Sequence, residues 1–155
     1  MKEIKFRGKR IDNGEWVYGY YVYCTDGNML SHRIYSSFAE SYGKKILRPI
    51  WFEVDPATVG QYTGLKDKNG AEIYGGDIVN TWIEGTIIID GVTTKGYSHE
   101  LMTVEFVTTN ERLGRFVVID SLGSEWSGFS NTAIEVIGNC LDNPDLLEGG
   151  TSDAD

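Results

Sequence analysis

Apolar and polar residues alternate with a period of two through much of this chain, which is the pattern of half-buried strands. From Lys2 to Gly8, Ile4 and Phe6 fall on one face, and Lys5 and Arg7 on the other. Asp12-Asn13-Gly14 then predicts a turn, because Asn-Gly tolerates the positive φ that tight turns need. Trp16 to Tyr23 predicts a second strand, with Trp16, Tyr18, Tyr20 and Val22 on one face and Val17, Tyr21 and Tyr23 on the other. Asp26-Gly27-Asn28 predicts a turn, and Met29 to Tyr35 a third strand. Ser36 to Lys45 has the composition of a loop with a weak helical option. Arg48 to Val54 predicts a strand that Asp55-Pro56 breaks, and Asp55 is also suited to cap one helical turn with Pro56 at its first position.

The second half continues in strands. Val59 to Leu65 and Ala71 to Tyr74 are expected to pair across a turn at Lys68-Asn69-Gly70. Gly75-Gly76 predicts a bend that larger residues resist, and Asp77 opens a strand through Trp82. Further strands are expected at Thr86–Asp90 and Met102–Thr109, divided by a polar loop from Gly91 to Glu100, and at Arg115–Asp120 and Ile134–Ile137. Asn143-Pro144 predicts a short helical turn through Leu147, and Gly149–Asp155 a frayed end. The expected organisation is a β-rich N-terminal lobe over 1–56, a barrel domain over 57–142, and a helical turn with an acidic tail over 143–155. A small barrel suits several closely spaced strands because closure removes exposed sheet edges.

Composition agrees with this mainly β fold: 19 glycines and 3 prolines in 155 residues point to many tight turns. The net charge of −9 hides an asymmetry. Met1 to Arg48 carries nine Lys/Arg against five Asp/Glu, whereas eight acids and no base follow Arg115. Cys24 and Cys140 are read as reduced structural thiols, since the basic start MKEIKFRGKR is followed by no apolar leader. A cytoplasmic location is expected, and no window is long and apolar enough to span a membrane as a helix.

Two sets of residues then carry a resemblance. Phe6-Arg7-Gly8-Lys9 with Gly14, Trp16-Val17 and Tyr18-Gly19 is one, and the run from Val59 to Gly70, VGQYTGLKDKNG, is the other. With Glu72-Ile73-Tyr74, Gly76-Asp77-Ile78-Val79, Glu135–Asn139 and Asn143-Pro144, they resemble the YopX family of phage and prophage proteins in order and across nearly the whole chain. The resemblance implies a C-terminal SH3-like barrel, a smaller β-rich N-terminal region, a phage or prophage gene in a bacterial host, and a function that is not settled. One position departs: where that family often has an acid between Tyr74 and Gly76, this chain has Gly75.

Candidate chemistry is sparse. Asp67, Asn69, Glu72 and Asp77 cluster, but Asp67-Lys68-Asn69-Gly70 lacks the acidic spacing of a calcium loop. Asp67 is expected instead to cap the turn by accepting backbone N–H groups. His32, His99 and the two cysteines lack zinc-ligand spacing. Ser31-His32, Ser98-His99-Glu100 and Cys24 suggest triad members without a nucleophile-elbow motif, and Ser127–Ser130 reads as a glycine turn. Glu53 and Asp55 are a carboxylate pair of a kind common in acidic chains, and Gly75-Gly76-Asp77 lacks the lysine of a phosphate loop. No catalytic residue, metal or cofactor is therefore expected.

Two surfaces remain. Trp16, Tyr18, Tyr20, Tyr21 and Tyr23 load a thin hairpin with aromatic surface of the kind enriched at protein interfaces, which points to contact with a phage or host protein or to a homo-oligomer. The alternative is a nucleic-acid module in which Lys5, Arg7, Lys9 and Arg10 hold phosphates while nearby aromatics stack bases.

Overall fold

A computed structural model describes residues 4–27, 29–41, 44–89, 92–108, 114–126 and 134–148. The fold is mainly β, as the alternation predicts, and the chain divides into two compact units, Met1–Gly64 and Leu65–Asp155. In the first, strands β1 (Phe6–Lys9), β2 (Trp16–Asp26), β3 (Met29–Ser41), β4 (Lys44–Glu53) and β5 (Gly60–Lys66) lie in the antiparallel order β4-β3-β2-β1-β5. Gly14 makes the first turn with φ +73°, its N–H donating to Arg10 O at 3.0 Å.

Asp55 caps a single 3-10 turn, Pro56–Thr58, by accepting from Ala57 N at 2.9 Å. That turn is fastened to β1 from both ends: Asp55 N donates to Lys9 O, and Lys9 N donates to Thr58 Oγ1. Ile34 and Val54 are buried against Gly8. A Cβ on Gly8 would come within 3.2 Å of both, so the residue is small because the chains meet there.

In the second unit, β6 (Glu72–Tyr74) is followed by β7 (Asp77–Ile89), β8 (Val92–Thr108), β9 (Gly114–Ile119), β10 (Glu125–Trp126) and β11 (Ile134–Asn139). These last five form an antiparallel sheet in the order β10-β9-β8-β7-β11. Ile73, Val79, Met102, Val104, Val118 and Ile134 are its buried core, with Phe116 and Val136 packed on them. The short helix α1 (Asp145–Glu148) lies where Asn143-Pro144 predicts it, with Leu146 N bonded to Asn143 O.

Three expectations change. First, among the described residues β10 and β11 end the sheet without pairing to each other, so the sheet is open and the SH3-like barrel is not confirmed. Second, the polar stretch Gly91–Glu100 is not a loop across its described part: β8 pairs with β7 from Ile89↔Val92 to Ile78↔Thr103. Its threonines and tyrosine favour strands, and the partner strand supplies the backbone bonds that polar side chains do not advertise. Third, Ser36–Lys45 is neither loop nor helix where described, since β3 and β4 pair from Arg33↔Glu53 out to Ser41↔Lys44. Asn28, Asp90, Thr109 and Gly149–Asp155 lie outside the described residues.

Candidate functional site

Strand register builds one aromatic and basic face on the N-terminal sheet. Side chains alternate across a strand, so residues directly opposite one another share a face. Lys9 lies opposite Trp16 and Arg7 opposite Tyr18. Tyr20 lies opposite Tyr35 and Val22 opposite Arg33. Tyr35 and Arg33 in turn lie opposite Trp51 and Glu53. Among these, Tyr18, Tyr20 and Trp51 stand 44%, 62% and 41% exposed, whereas Arg7 is buried and Trp16 is half-buried.

Cations cover several of the rings. Arg33 lies 4.0 Å from the centre of the Trp51 ring, Arg7 lies 4.8 Å from that of Trp16, and Lys9 lies 5.4 Å from the same ring. Lys5 lies more loosely over Tyr18, at 5.9 Å. Each such pairing is worth about 0.5–1 kcal/mol at exposed sites and more when desolvated. Placing each of these cations on a ring offsets part of the cost of holding it near apolar surface.

The sequence-predicted sets divide between faces. Trp16, Tyr18 and Tyr20 share the face just described. Tyr21 and Tyr23 project from the other, where Tyr21 hydroxyl bonds His32 Nδ1 and both rings flank the imidazole at 6.0 and 5.1 Å. Phe6 packs on Tyr21 at 5.6 Å, and burial followed by the nearby Tyr23 raises the Tyr21 pKa above the ordinary tyrosine value. Arg10 also leaves its set: it lies over Phe52 at 4.3 Å and grips Asp12 through Nε at 2.8 Å and Nη2 at 2.5 Å. Lys5, Arg7 and Lys9 therefore share a face that Arg10 does not. Sequence alone missed Arg33, Tyr35 and Trp51; the alternation of Arg48–Val54 was the available signal, but only cross-strand register shows that Trp51 stands beside Tyr35 and Tyr20.

The central run Val59–Val79 has a structural task. Asp67 is buried, and its Oδ1 accepts from Asn69 N at 2.8 Å and Ala71 N at 2.9 Å. Its Oδ2 accepts from Val136 N at 3.0 Å, which ties the turn to β11 across 69 residues of sequence. Lys68 adds a backbone bond to Ile134 O at 3.0 Å and an ion pair to Glu135 at 2.6 Å. Burial pushes the Asp67 carboxyl up, but the N–H groups of Val136, Ala71, Asn69 and Gly70 together outweigh it and hold its pKa below the ordinary range. The turn itself is not the two-residue mirror-image type that Asn69-Gly70 permits. Gly70 N donates to Asp67 O and Asp67 N to Ala71 O, closing a three-residue loop with Gly70 at φ +87°. Beyond it, Asp77 is buried and accepts from Tyr74 N at 2.7 Å, securing the bend at Gly75-Gly76.

Nucleophile chemistry gains no geometry from these placements. Ser31 and His32 project to opposite faces of β3; Ser31 accepts from Arg33 Nε at 2.8 Å while His32 bonds Tyr21. Asp55 is occupied with its cap. Among the described residues no three His, Cys, Asp or Glu side chains converge as a metal site. Cys24 and Cys140 are not bridged, and Cys24 Sγ donates to Ser31 O at 3.7 Å. The His99 side chain and Ser127–Ser130 lie outside the described residues. No described helix is long and apolar enough to cross a membrane.

A crystal structure of the protein EF1440 from Enterococcus faecalis is similar to this chain at 22% identity and a TM-score of 0.55, covering 95% of this chain and 99% of that one. At that identity the likeness concerns the fold. None of the curated proteins matches. The family model described as YopX protein matches residues 5–148, which is nearly the whole length and includes both the N-terminal face and the Asp67 turn; the chain belongs to the YopX family.

Proposed function

We propose that this protein works by protein–protein contact rather than turnover, and that the aromatic face of its N-terminal sheet is the docking surface. The observation that carries the reading is the joint exposure of Tyr18, Tyr20 and Trp51 on one side of one sheet. Tyrosine and tryptophan are the side chains enriched at the centres of interfaces, where they bury much area at low entropic cost. On this reading the partner is a host or phage-encoded protein met in a bacterial cytoplasm, which is the setting that the resemblance to phage and prophage proteins suggests.

Cation placement favours a protein over a nucleic acid. Phosphate binding wants cations displayed along a groove with bare rings between them. Here Arg7 is buried, and Arg10 belongs to the opposite face, where it lies over Phe52 and is engaged with Asp12, so two of the four cations that such a groove would need are withdrawn from it.

The test compares wild type with Tyr20→Ser/Trp51→Ser and with Leu122→Ser, a control at an exposed site in the second unit. Each is tagged, checked for unchanged circular dichroism and melting temperature, and used for affinity capture from cells that carry the gene. A protein retained by wild type and the control but lost from the double variant is expected. Identical captures by all three overturn the reading. Retained nucleic acid that dissociates with a log–log salt slope near −0.9 per phosphate transfers the face to the alternative.

A further inference from the structure

We propose that the occupant of the aromatic face is a second copy of the chain, which docks its acidic segment Leu141–Glu148 there, head to tail. The inference rests on the contact reading above and names its partner. Charge complementarity carries it. The first unit holds nine Lys/Arg and seven Asp/Glu, and the second holds five Lys/Arg and sixteen Asp/Glu. One chain therefore presents both halves of an electrostatic match, and the match is strongest after Arg115, where only acids follow.

The segment has the right chemistry and is already shaped. Leu141 and Leu147 stand 48% and 38% exposed, beside the exposed Asp142, Asp145 and Glu148. Its backbone is held by Asn139, whose Oδ1 accepts from Leu141 N and Asp142 N, and by Leu147 N donating to Pro144 O. A pre-shaped ligand loses little chain entropy on docking. Leucines suit the exposed faces of Tyr20 and Tyr18, and carboxylates suit Lys5, Lys9 and Arg33. An arginine stacked on a ring is engaged through its flat side, whereas a carboxylate meets its edge, so Arg33 over Trp51 is compatible with both.

Because the face and the segment are different patches, each copy offers one of each. Such a heterologous contact closes into a ring or extends as a chain, in contrast to a two-fold pairing of identical faces.

Sedimentation velocity and equilibrium on the full chain test this. Wild type is expected to gain mass with concentration at low salt and to lose it at high salt, as the Debye length falls from about 30 Å at 0.01 M to about 3 Å at 1 M. Arg33→Glu is expected to weaken self-association about tenfold or more, as is Lys5→Glu/Lys9→Glu, which replaces it as the face variant if Arg33→Glu proves unfolded. Asp145→Lys/Glu148→Lys is expected to do the same from the other side. The deciding measurement mixes a face variant with the segment variant. One intact face and one intact segment remain, so a capped one-to-one dimer is expected from two proteins that are each monomeric. Wild type that stays monomeric, association indifferent to salt, or a mixture that does not recover the dimer overturns the proposal. A monomeric wild type that still captures another protein through Tyr20 and Trp51 sinks this inference and leaves the contact reading intact.

Discussion

Asp67→Ala tests whether the central turn is held by one carboxylate. Three backbone donors converge on Asp67: Asn69 N and Ala71 N inside the turn, and Val136 N on β11. The three are unequal. Asn69 and Ala71 are exposed, so water replaces their bonds, and each loss resembles the removal of a helix cap at about 0.5–1 kcal/mol. Val136 is half-buried and its bond reaches a charged acceptor, so its loss costs about 1.5–3 kcal/mol. Together the substitution should remove about 2.5–5 kcal/mol. For a unit of this size about 1 kcal/mol moves the melting temperature by roughly 4–8 °C, so a fall of at least roughly 10 °C is expected. Amide exchange adds a local readout, because the Val136 N–H should exchange faster in the variant. The pH dependence has a definite sign. The folded carboxyl titrates below its unfolded value, so its contribution is full above about pH 3.9 and fades as pH falls through the lower folded value. Glu135 is also lowered, chiefly by its hydrogen bond with Lys68, but it is present in both proteins, so the difference between them follows Asp67. The stability gap between wild type and variant should therefore narrow in acid. A melting temperature within about 2 °C of wild type at neutral pH, or a gap that widens in acid, refutes the reasoning.

Other substitutions separate the effects within the same fold. Gly70→Val should cost about 1–2 kcal/mol through its φ of +87° alone, since nothing lies within 4 Å of the added Cβ, whereas the exposed Asn69→Ala should cost less than about 0.5 kcal/mol; equal denaturant midpoints would contradict the three-residue loop. Lys68→Met removes an exposed ion pair and should cost less than about 1 kcal/mol by chemical denaturation; a larger loss would mean that the ion pair, and not Asp67, ties the turn to β11. Gly19→Ala places a Cβ against the Tyr35 carbonyl, with its carbon at 2.8 Å and Ser36 Cα at 3.0 Å, and should cost about 3 kcal/mol; an unchanged melting temperature would mean that β2 and β3 do not approach as described.

Local signals were strong wherever one residue type answers a local demand. Gly14 and Gly70 take the left-handed conformation their turns require, Asp55 caps a turn with Pro56 at its first position, and Asn143-Pro144 leads into α1. The period-two alternation identified the strands around Phe6, Trp16 and Ile134 because one face of each is covered. It failed at Ser36–Lys45 and Gly91–Glu100, where polar composition hides strands that exist because a neighbour supplies their backbone bonds.

The candidate face shows the same division. Trp16, Tyr18 and Tyr20 were legible as one side of one strand, and Lys5 with Arg7 as one side of another, because side-chain direction follows from position along a strand. Alternation past Lys9 also sets Arg10 on the opposite side, although the basic set groups it with Lys5, Arg7 and Lys9; that the basic and aromatic sides coincide, and that Arg33, Tyr35 and Trp51 complete the face, depends on how β1, β3 and β4 align with β2. By itself the sequence determined the mainly β class, the turns, the YopX family and the charge asymmetry of the two ends. Only the tertiary structure decided the register of the N-terminal sheet, the open edges of the second sheet, and the bond from Asp67 to Val136. The physical reason is separation along the chain: alternation and turn chemistry act over a few residues, whereas cross-strand partners lie tens of residues apart, and a sequence pattern of period two is satisfied equally by many alignments.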